Sequence, residues 1–337
     1  MNLTPPLDPS VLEQAFGAFR LSRLLFAVAS LDLASHLVEG PQDAPSLARK
    51  TNTHEASLTS LLDALVGWGV FTRDREDRYG LTPFSRRLVP GTENAANIPF
   101  LLGWVGFPVT YDAYGDILHT LRTGESAVQG RYGAGFHRFL SEHPEMGALY
   151  DRAMGATSDS FVQCAAAYDF SNAHTLIDVG GGQGALALEI LSRYPDLHAI
   201  SFDLPEVIKD AQVGTHPASR RLEFMGGDAF QKVPSGGDVY MTSTVLRCFD
   251  DERCLLLLKN ISAAMPAYAR LAAFEMVIPA ERDNLGMSMA DLTARVLYGG
   301  CDRTEQQFRD LFARAGLRLR RLIPVEGTMH VLEAVPA

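Results

Sequence analysis

The chain has 337 residues and a formal net charge of −10, long enough for two domains, or one large domain with an appendage, and for a core that needs no disulfides. The acidic balance argues against a polyanionic partner such as nucleic acid, because phosphate binding requires clustered Lys and Arg. Cys164, Cys248, Cys254 and Cys301 form no CxxC pair, which argues against a zinc site or a disulfide framework and for reduced thiols.

The start, MNLTPPLDPSVLEQ, has no basic segment followed by an apolar one, and the early apolar run RLSRLLFAVASLDLASHL is interrupted by Arg23 and Asp32. A cytoplasmic protein with no membrane span and no metal is expected. Residues 11 to 40 carry Leu12, Phe16, Phe19, Leu21, Leu24, Leu25 and Val28 at helical spacing, so these helices need a partner surface. The stretch from Ala44 to Pro83 then reads as helix, turn, helix and a hairpin with RDREDR at its tip, the outline of a winged helix. A winged helix used as a transcription factor presents basic residues to the DNA groove. Here there is neither Lys nor Arg between Lys50 and Arg73, while Glu55 and Asp63 lie on the second helix. The module therefore reads as structural, serving dimerisation or covering a substrate pocket.

Residues 91 to 135 are rich in Gly and aromatics, as helices and loops joining two parts would be, and FHRFLSEHPEMGALYDRAMGATSDSFVQCAAAYDF is helical again. From His174 the pattern changes to short apolar strands alternating with helices, through TLIDVG, LHAISFDLP, LEFMGGDAF, DVYMTSTVL and ARLAAFEMVIP. That alternation indicates an α/β protein with a doubly wound parallel sheet. The closing RLRRLIPVEGTMHVLEAV gives two strands around a turn, which adds one antiparallel strand. The expected division is residues 1–105, 106–165 and 166–337.

In LIDVGGGQGALALEI a buried strand runs into Gly180, Gly181, Gly182 and Gly184 and then a helix, so a ligand can approach the helix N-terminus closely. Gly180, Gly182 and Ala185 satisfy the dinucleotide fingerprint, and Asp203 lies where a ribose-binding acid is expected. Asp178 inside the turn suits a cationic amino-acid tail better than a pyrophosphate. Asp228 ends the following strand, where it can accept from an adenine amino group. With the antiparallel terminal hairpin, these features favour S-adenosylmethionine over a nicotinamide cofactor.

LIDVGGGQGALALEILSRYPDLHAISFDLPEVI, GGDAF, VLRCFDDERCLLLLKNI and GGCDRTEQQFRDLFARAGL together resemble the small-molecule O-methyltransferases typified by the plant caffeate and the acetylserotonin enzymes. The resemblance covers nearly the whole chain and implies a class I methyltransferase fold behind an N-terminal winged-helix domain that makes a homodimer. It implies S-adenosylmethionine as cofactor and S-adenosylhomocysteine as product, held by Asp178, Gly180, Gly182, Asp203, Leu204, Asp228, Ala229 and Ser243. It places Met154, Phe161, Met289 and Asp291 beside a flat, aromatic or heteroaromatic secondary-metabolite acceptor.

In that family a general-base His of an LHxWxD motif stands where this chain has Arg247, and Phe249 stands for the Trp; the flanking acids match Glu275 and Asp302. Arginine stays protonated and cannot take a proton. It can grip an anionic or carbonyl group of the acceptor, with Glu275 and Asp302 setting its orientation, or pair with those two acids as a structural salt bridge. The acceptor is then a nitrogen, a carbon or an already ionised oxygen, or another residue such as His330 or Tyr298 serves as base. A third reading keeps the cofactor and gives up methyl transfer for a pericyclic or hydroxylation step.

Overall fold

The computed structural model describes residues 10–89, 106–147, 150, 158–209, 211, 216–279, 285–326 and 329–337. The chain forms two compact units, Met1–Tyr111 with Ala148–Thr157, and Asp112–Gly147 with Ser158–Ala337. Helices of the middle segment thus fold with the C-terminal sheet.

In the first unit α1 (Ser10–Ser30) precedes strand β1 (Gln42–Asp43), α2 (Ala44–Thr51), α3 (Glu55–Gly67), β2 (Phe71–Arg73), β3 (Arg78–Leu81) and α4 (Pro83–Arg86). Asp43 caps α2 by accepting from the Ser46 amide at 2.7 Å, which supplies a partner that the first helical turn lacks. The strands pair antiparallel in the order β1-β3-β2, so the sequence-predicted wing is present. Its core is Val28, Leu33, Leu37, Leu47, Leu58, Leu62, Leu65, Phe71 and Tyr79.

The second unit begins with short helices, α5 (Pro108–Gly115, which starts in the first unit), α6 (Ile117–Thr123), α7 (Ala127–Tyr132) and α8 (Phe136–Glu142). After α9 (Ser158–Ala167) the alternation starts: β4 (Thr175–Val179), α10 (Ala185–Arg193), β5 (His198–Asp203), α11 (Pro205–Ile208), β6 (Leu222–Gly226), β7 (Val239–Ser243), α12 (Asp251–Ala264) and β8 (Arg270–Ile278). Then come α13 (Leu285–Tyr298), β9 (Arg303–Thr304), α14 (Glu305–Arg314), β10 (Leu317–Glu326) and β11 (Met329–Pro336). The sheet order is β10-β11-β8-β7-β4-β5-β6, with β9 beside β8. Strands β4 to β8 pair parallel, while β11 runs antiparallel to both β8 and β10. The predicted doubly wound sheet with its antiparallel strand is therefore present.

Alternation along the strands splits the core. Ile177, Val179, Tyr240, Leu271 and Ala273 pack on one face of the sheet, and Leu176, Val239, Met241, Ala272 and Phe274 on the other. Both faces are buried, which is why these strands read as continuous apolar runs. Tyr114 Oη lies 2.6 Å from Thr293 Oγ1, and Ser126 Oγ donates to the Leu297 carbonyl at 3.0 Å, which fastens α5 and α7 to α13. Among the described residues no helix is long and apolar enough to cross a membrane.

Candidate active site

In a parallel sheet the strand carboxyl ends face one edge, and ligands bind outside it where the strand order reverses. Here the reversal falls between β4 and β7. Asp178 and the glycine loop end β4, Asp203 and Leu204 end β5, Asp228 and Ala229 follow β6, and Ser243 ends β7. The eight residues expected at the cofactor thus share one edge.

Gly180, Gly182 and Gly184 have φ of 77°, 54° and 76°, conformations that L side chains rarely adopt. A Cβ on Gly180 would lie 2.7 Å from Val245 Cγ2, and one on Gly181 would lie 2.6 Å from the Asp178 carboxyl group and from Ser201 Oγ. At Gly182 nothing stands within 4 Å of that position, so the turn is packed from below and open above. Asp203 ties two strand ends together: Oδ2 accepts from the Gly182 amide at 2.9 Å and Oδ1 from the Leu204 amide at 2.7 Å. Asp228 caps its own turn through the Phe230 amide at 2.9 Å, with Gln231 Nε2 at 3.1 Å.

Asp178 is 2 % exposed and its Oδ1 has no hydrogen-bond partner among the described residues. Burial, reinforced by the Asp203 charge, pushes it up to about 8. A buried carboxyl oxygen without a donor is a cost that a bound cation would remove. An open glycine turn above this unsatisfied acid fits a ligand with a cationic amino-acid tail such as S-adenosylmethionine.

Beyond β7 the backbone bends at Thr244, a β-branched residue at φ 55°. Such a conformation costs about 1–3 kcal/mol and persists where the surroundings impose it. A short turn, Leu246–Cys248, then presents Arg247. Arg247 Nε donates to Asp302 Oδ1 at 2.8 Å, and Nη2 donates to Asp302 Oδ2 and to the Ala290 carbonyl, each at 3.1 Å. The ion pair raises the guanidinium further above its ordinary range, against an opposing desolvation penalty. Arg247 keeps 16 % of its side-chain surface and Asp302 keeps 2 %.

The two acids expected to orient Arg247 do different work. Asp302 holds it, whereas Glu275, fully buried on β8, gives Oε1 to the Leu246 amide at 2.7 Å. Glu275 Oε2 has no hydrogen-bond partner among the described residues, and burial pushes the acid up to about 7. Of the two acids expected to set the orientation of Arg247, Asp302 forms a two-point ion pair with it and Glu275 holds the backbone of its turn; among the described residues the salt bridge is with Asp302 alone. Asp291 braces the pair, with Oδ1 accepting from the Asp302 amide at 2.9 Å and Oδ2 from Arg295 Nε at 3.0 Å. Met289 is 47 % exposed and does not belong to the core. Met154 and the Phe161 side chain lie outside the described residues.

Sequence reasoning missed Arg303, because an arginine ordinarily reads as surface. Its side chain is 1 % exposed. Nη1 donates to the Leu246 carbonyl at 2.9 Å and the Cys301 carbonyl at 3.2 Å, Nη2 to the Phe249 carbonyl at 2.9 Å, and Nε to Asp251 at 2.8 Å. It clamps both ends of the turn that carries Arg247. Replacing Arg303 with methionine takes the charged donor from all three carbonyls, leaving that of Leu246 with the Phe249 amide at 3.3 Å and Cys254 Sγ at 3.1 Å and that of Phe249 with Cys254 Sγ at 3.5 Å, and is expected to lower unfolding stability by about 3 kcal/mol, read in a urea titration. A change below about 0.5 kcal/mol would show that the clamp contributes nothing.

Fold and site define a class I methyltransferase. The O-methyltransferase domain pattern matches residues 114–318, and an O-methyltransferase dimerisation domain pattern matches residues 13–91. The chain belongs to the family of S-adenosylmethionine-dependent small-molecule O-methyltransferases. It is 34 % identical over 331 residues to the 3-amino-4-hydroxybenzoate 4-O-methyltransferase of Streptomyces cremeus, covering 96 % of this chain and 89 % of that one. The solved mitomycin 7-O-methyltransferase superposes with a TM-score of 0.90 at 32 % identity, over 97 % of each chain. An O-methyltransferase from neocarzinostatin biosynthesis, solved with S-adenosylmethionine and 2-hydroxy-5-methyl naphthoic acid, gives 0.84 at 28 % identity, over 94 % of this chain and 96 % of that one.

Proposed function

We propose that this protein methylates a hydroxyl group of a small aromatic secondary metabolite that carries a carboxylate or carbonyl on the same ring system, and that it works as a homodimer through its N-terminal domain. The observation that carries the reading is the Arg247 guanidinium. Asp302 fixes its plane from one side, and Nη1 has no partner among the described residues. A fixed guanidinium with spare donors takes a carboxylate or carbonyl oxygen by charge-assisted hydrogen bonds. The compound that one relative is named for methylating, 3-amino-4-hydroxybenzoate, and the compound solved in complex with another, 2-hydroxy-5-methyl naphthoic acid, both carry a carboxylate and a hydroxyl group on an aromatic ring system.

When bound, S-adenosylmethionine supplies an activated methyl group, so the protein's work is alignment, exclusion of water and control of charge. Asp178 and Asp203 hold the donor side, with Asp228 and the backbone around Ala229 and Ser243 completing it. Arg247 turns the acceptor and stabilises negative charge on the reacting oxygen. Asp302 and Asp291 keep Arg247 from swinging, and Glu275 fixes its turn through Leu246. The helices between Asp112 and Glu142 roof the acceptor, with Met289 on its apolar wall.

The test is methyl transfer, followed by mass spectrometry, to 2-hydroxy-5-methyl naphthoic acid and 3-amino-4-hydroxybenzoate and to their decarboxylated counterparts. The carboxylated probes are expected to be methylated with kcat/KM at least about tenfold higher, as one charge-assisted contact implies. Equal rates for both sets would remove Arg247 from acceptor recognition. Calorimetric binding of S-adenosylmethionine without transfer to any probe would favour the non-methylating reading.

A further inference from the structure

Arg247 and the arginines beside it already have their carboxylates. Arg247 pairs with Asp302 at 2.8 Å, Arg295 with Asp291 at 3.0 Å and Arg303 with Asp251 at 2.8 Å. These charges balance, and Glu275 is an acid beyond that balance. It is fully buried on β8, its Oε1 accepts from the Leu246 amide at 2.7 Å, and its Oε2 has no hydrogen-bond partner among the described residues. The titratable groups facing it are Arg247 and Cys248 on the turn, Cys254 on α12, Asp302 and Arg303 at the start of β9, and His330 opposite it on β11. A carboxyl group buried there without a cation of its own favours its neutral form.

We infer that Glu275 determines which acceptor charge the site takes, by holding a proton while an acceptor carboxylate rests on Arg247. The inference builds on the acceptor carboxylate assigned to Arg247 above. Asp302, held by Arg247, already disfavours the ionised form of Glu275, and a second carboxylate on the same guanidinium acts in the same direction. With Glu275 neutral, the acceptor's anion is the only charge in excess, and the spare donors of Arg247 meet it. Burial pushes Glu275 of the free protein up to about 7, against the Leu246 amide and the Arg247 charge. The proton is therefore present below neutrality and leaves above it. Because an anionic acceptor raises Glu275 further, its affinity is full below about pH 7 and falls as pH rises, where binding must take up a proton. A neutral acceptor has no such coupling. Glu275 acts through charge and through the turn without touching the acceptor, which makes it a positioning residue.

The experiment is calorimetric titration of 2-hydroxy-5-methyl naphthoic acid, and of its decarboxylated counterpart, into protein saturated with S-adenosylhomocysteine. It runs from about pH 6 to about pH 9, where the carboxylate of the probe stays ionised and its hydroxyl stays protonated. Cys248 and Cys254, each pushed up to about 12 by burial, do not titrate in this interval. Wild type is expected to lose up to about tenfold in affinity for the carboxylated probe per pH unit above neutrality. Buffers of different ionisation enthalpy should show close to one proton taken up at about pH 8, a reading that needs no variant. Glu275→Gln keeps the oxygen that accepts from Leu246 and cannot ionise. It should bind the carboxylated probe independently of pH and, at about pH 9, about tenfold more tightly than wild type. A merely structural role would give weaker binding in its place. The decarboxylated probe should bind independently of pH in both proteins. Flat wild-type affinity without proton uptake, or a fall with pH that persists in Glu275→Gln, would overturn the role of Glu275 and leave the methylation reading standing. A wild type that neither binds nor methylates either probe would overturn the acceptor class and this inference together.

Discussion

Substituting Arg247 by alanine is expected to cut kcat/KM for 2-hydroxy-5-methyl naphthoic acid by about a thousandfold, with S-adenosylhomocysteine affinity unchanged within about threefold. The separation follows from place, since Arg247 sits beyond β7 while the glycine turn joins β4 to α10. The loss has two sources. The acceptor loses a charge-assisted contact, and Asp302, with 2 % of its side-chain surface exposed, keeps a charge with no counterion beside it. Arg247→Lys separates these contributions: an ammonium restores the charge beside Asp302 without the planar two-point fork. It should recover stability in a melting curve and recover less than about a tenth of the lost kcat/KM. Full recovery by lysine would reduce the role of Arg247 to charge neutralisation, and unchanged kinetics in the alanine variant would end its acceptor role.

Cofactor affinity is expected to rise with pH and to level off near 8. In the free protein Asp178 is raised from 3.8 to about 8 by burial and by Asp203, so it carries a proton at neutral pH. An ammonium group at Asp178 favours the ionised form, and binding then expels a proton. A group whose folded-state pKa lies above its unfolded value contributes stability below the unfolded value and loses it as pH rises through the folded one. The melting temperature of the unliganded protein should accordingly fall over this interval, and S-adenosylhomocysteine should raise it most at the alkaline end. Adenosine, which lacks the ammonium group, should bind without the pH dependence. Asp178→Asn should abolish the dependence, stabilise the unliganded protein at pH 8 and weaken S-adenosylhomocysteine by about a hundredfold. Calorimetry in buffers of different ionisation enthalpy reads the released proton directly. A pH-independent affinity in the wild type would remove the ammonium from Asp178.

Much of this was legible in the residues. Buried parallel strands announce themselves as apolar runs, and TLIDV before GGGQG has few other uses, so β4, its turn and α10 follow from local pattern. The anomaly at Arg247 was visible too, as a cation where the resembled enzymes place a base. Its geometry was not visible. Whether Glu275 or Asp302 holds the guanidinium depends on how β9 lies against β8, with Val277 opposite Arg303, and no local spacing encodes that. Thr244 was illegible for a different reason, because propensity argues against a β-branched residue at positive φ and only the surrounding packing reverses it. Burial of Arg303 arises from distant segments meeting, which the residue's own neighbourhood in the chain does not announce.

Gly300 bears on how acceptor range in this enzyme can change. With its Cα lodged against the backbone of the Arg247 turn, it leaves no room for any side chain, and Arg303, three positions along, grips the same turn from the other side. The turn and the Gly299–Arg303 segment therefore act as one block, and variation confined to either half is penalised. Exposed Met289, one residue from the carbonyl that receives Arg247, carries no such restriction. A library aimed at new acceptors gains most by varying Met289 and holding Gly300 and Arg303 constant, and natural drift in specificity should follow the same path.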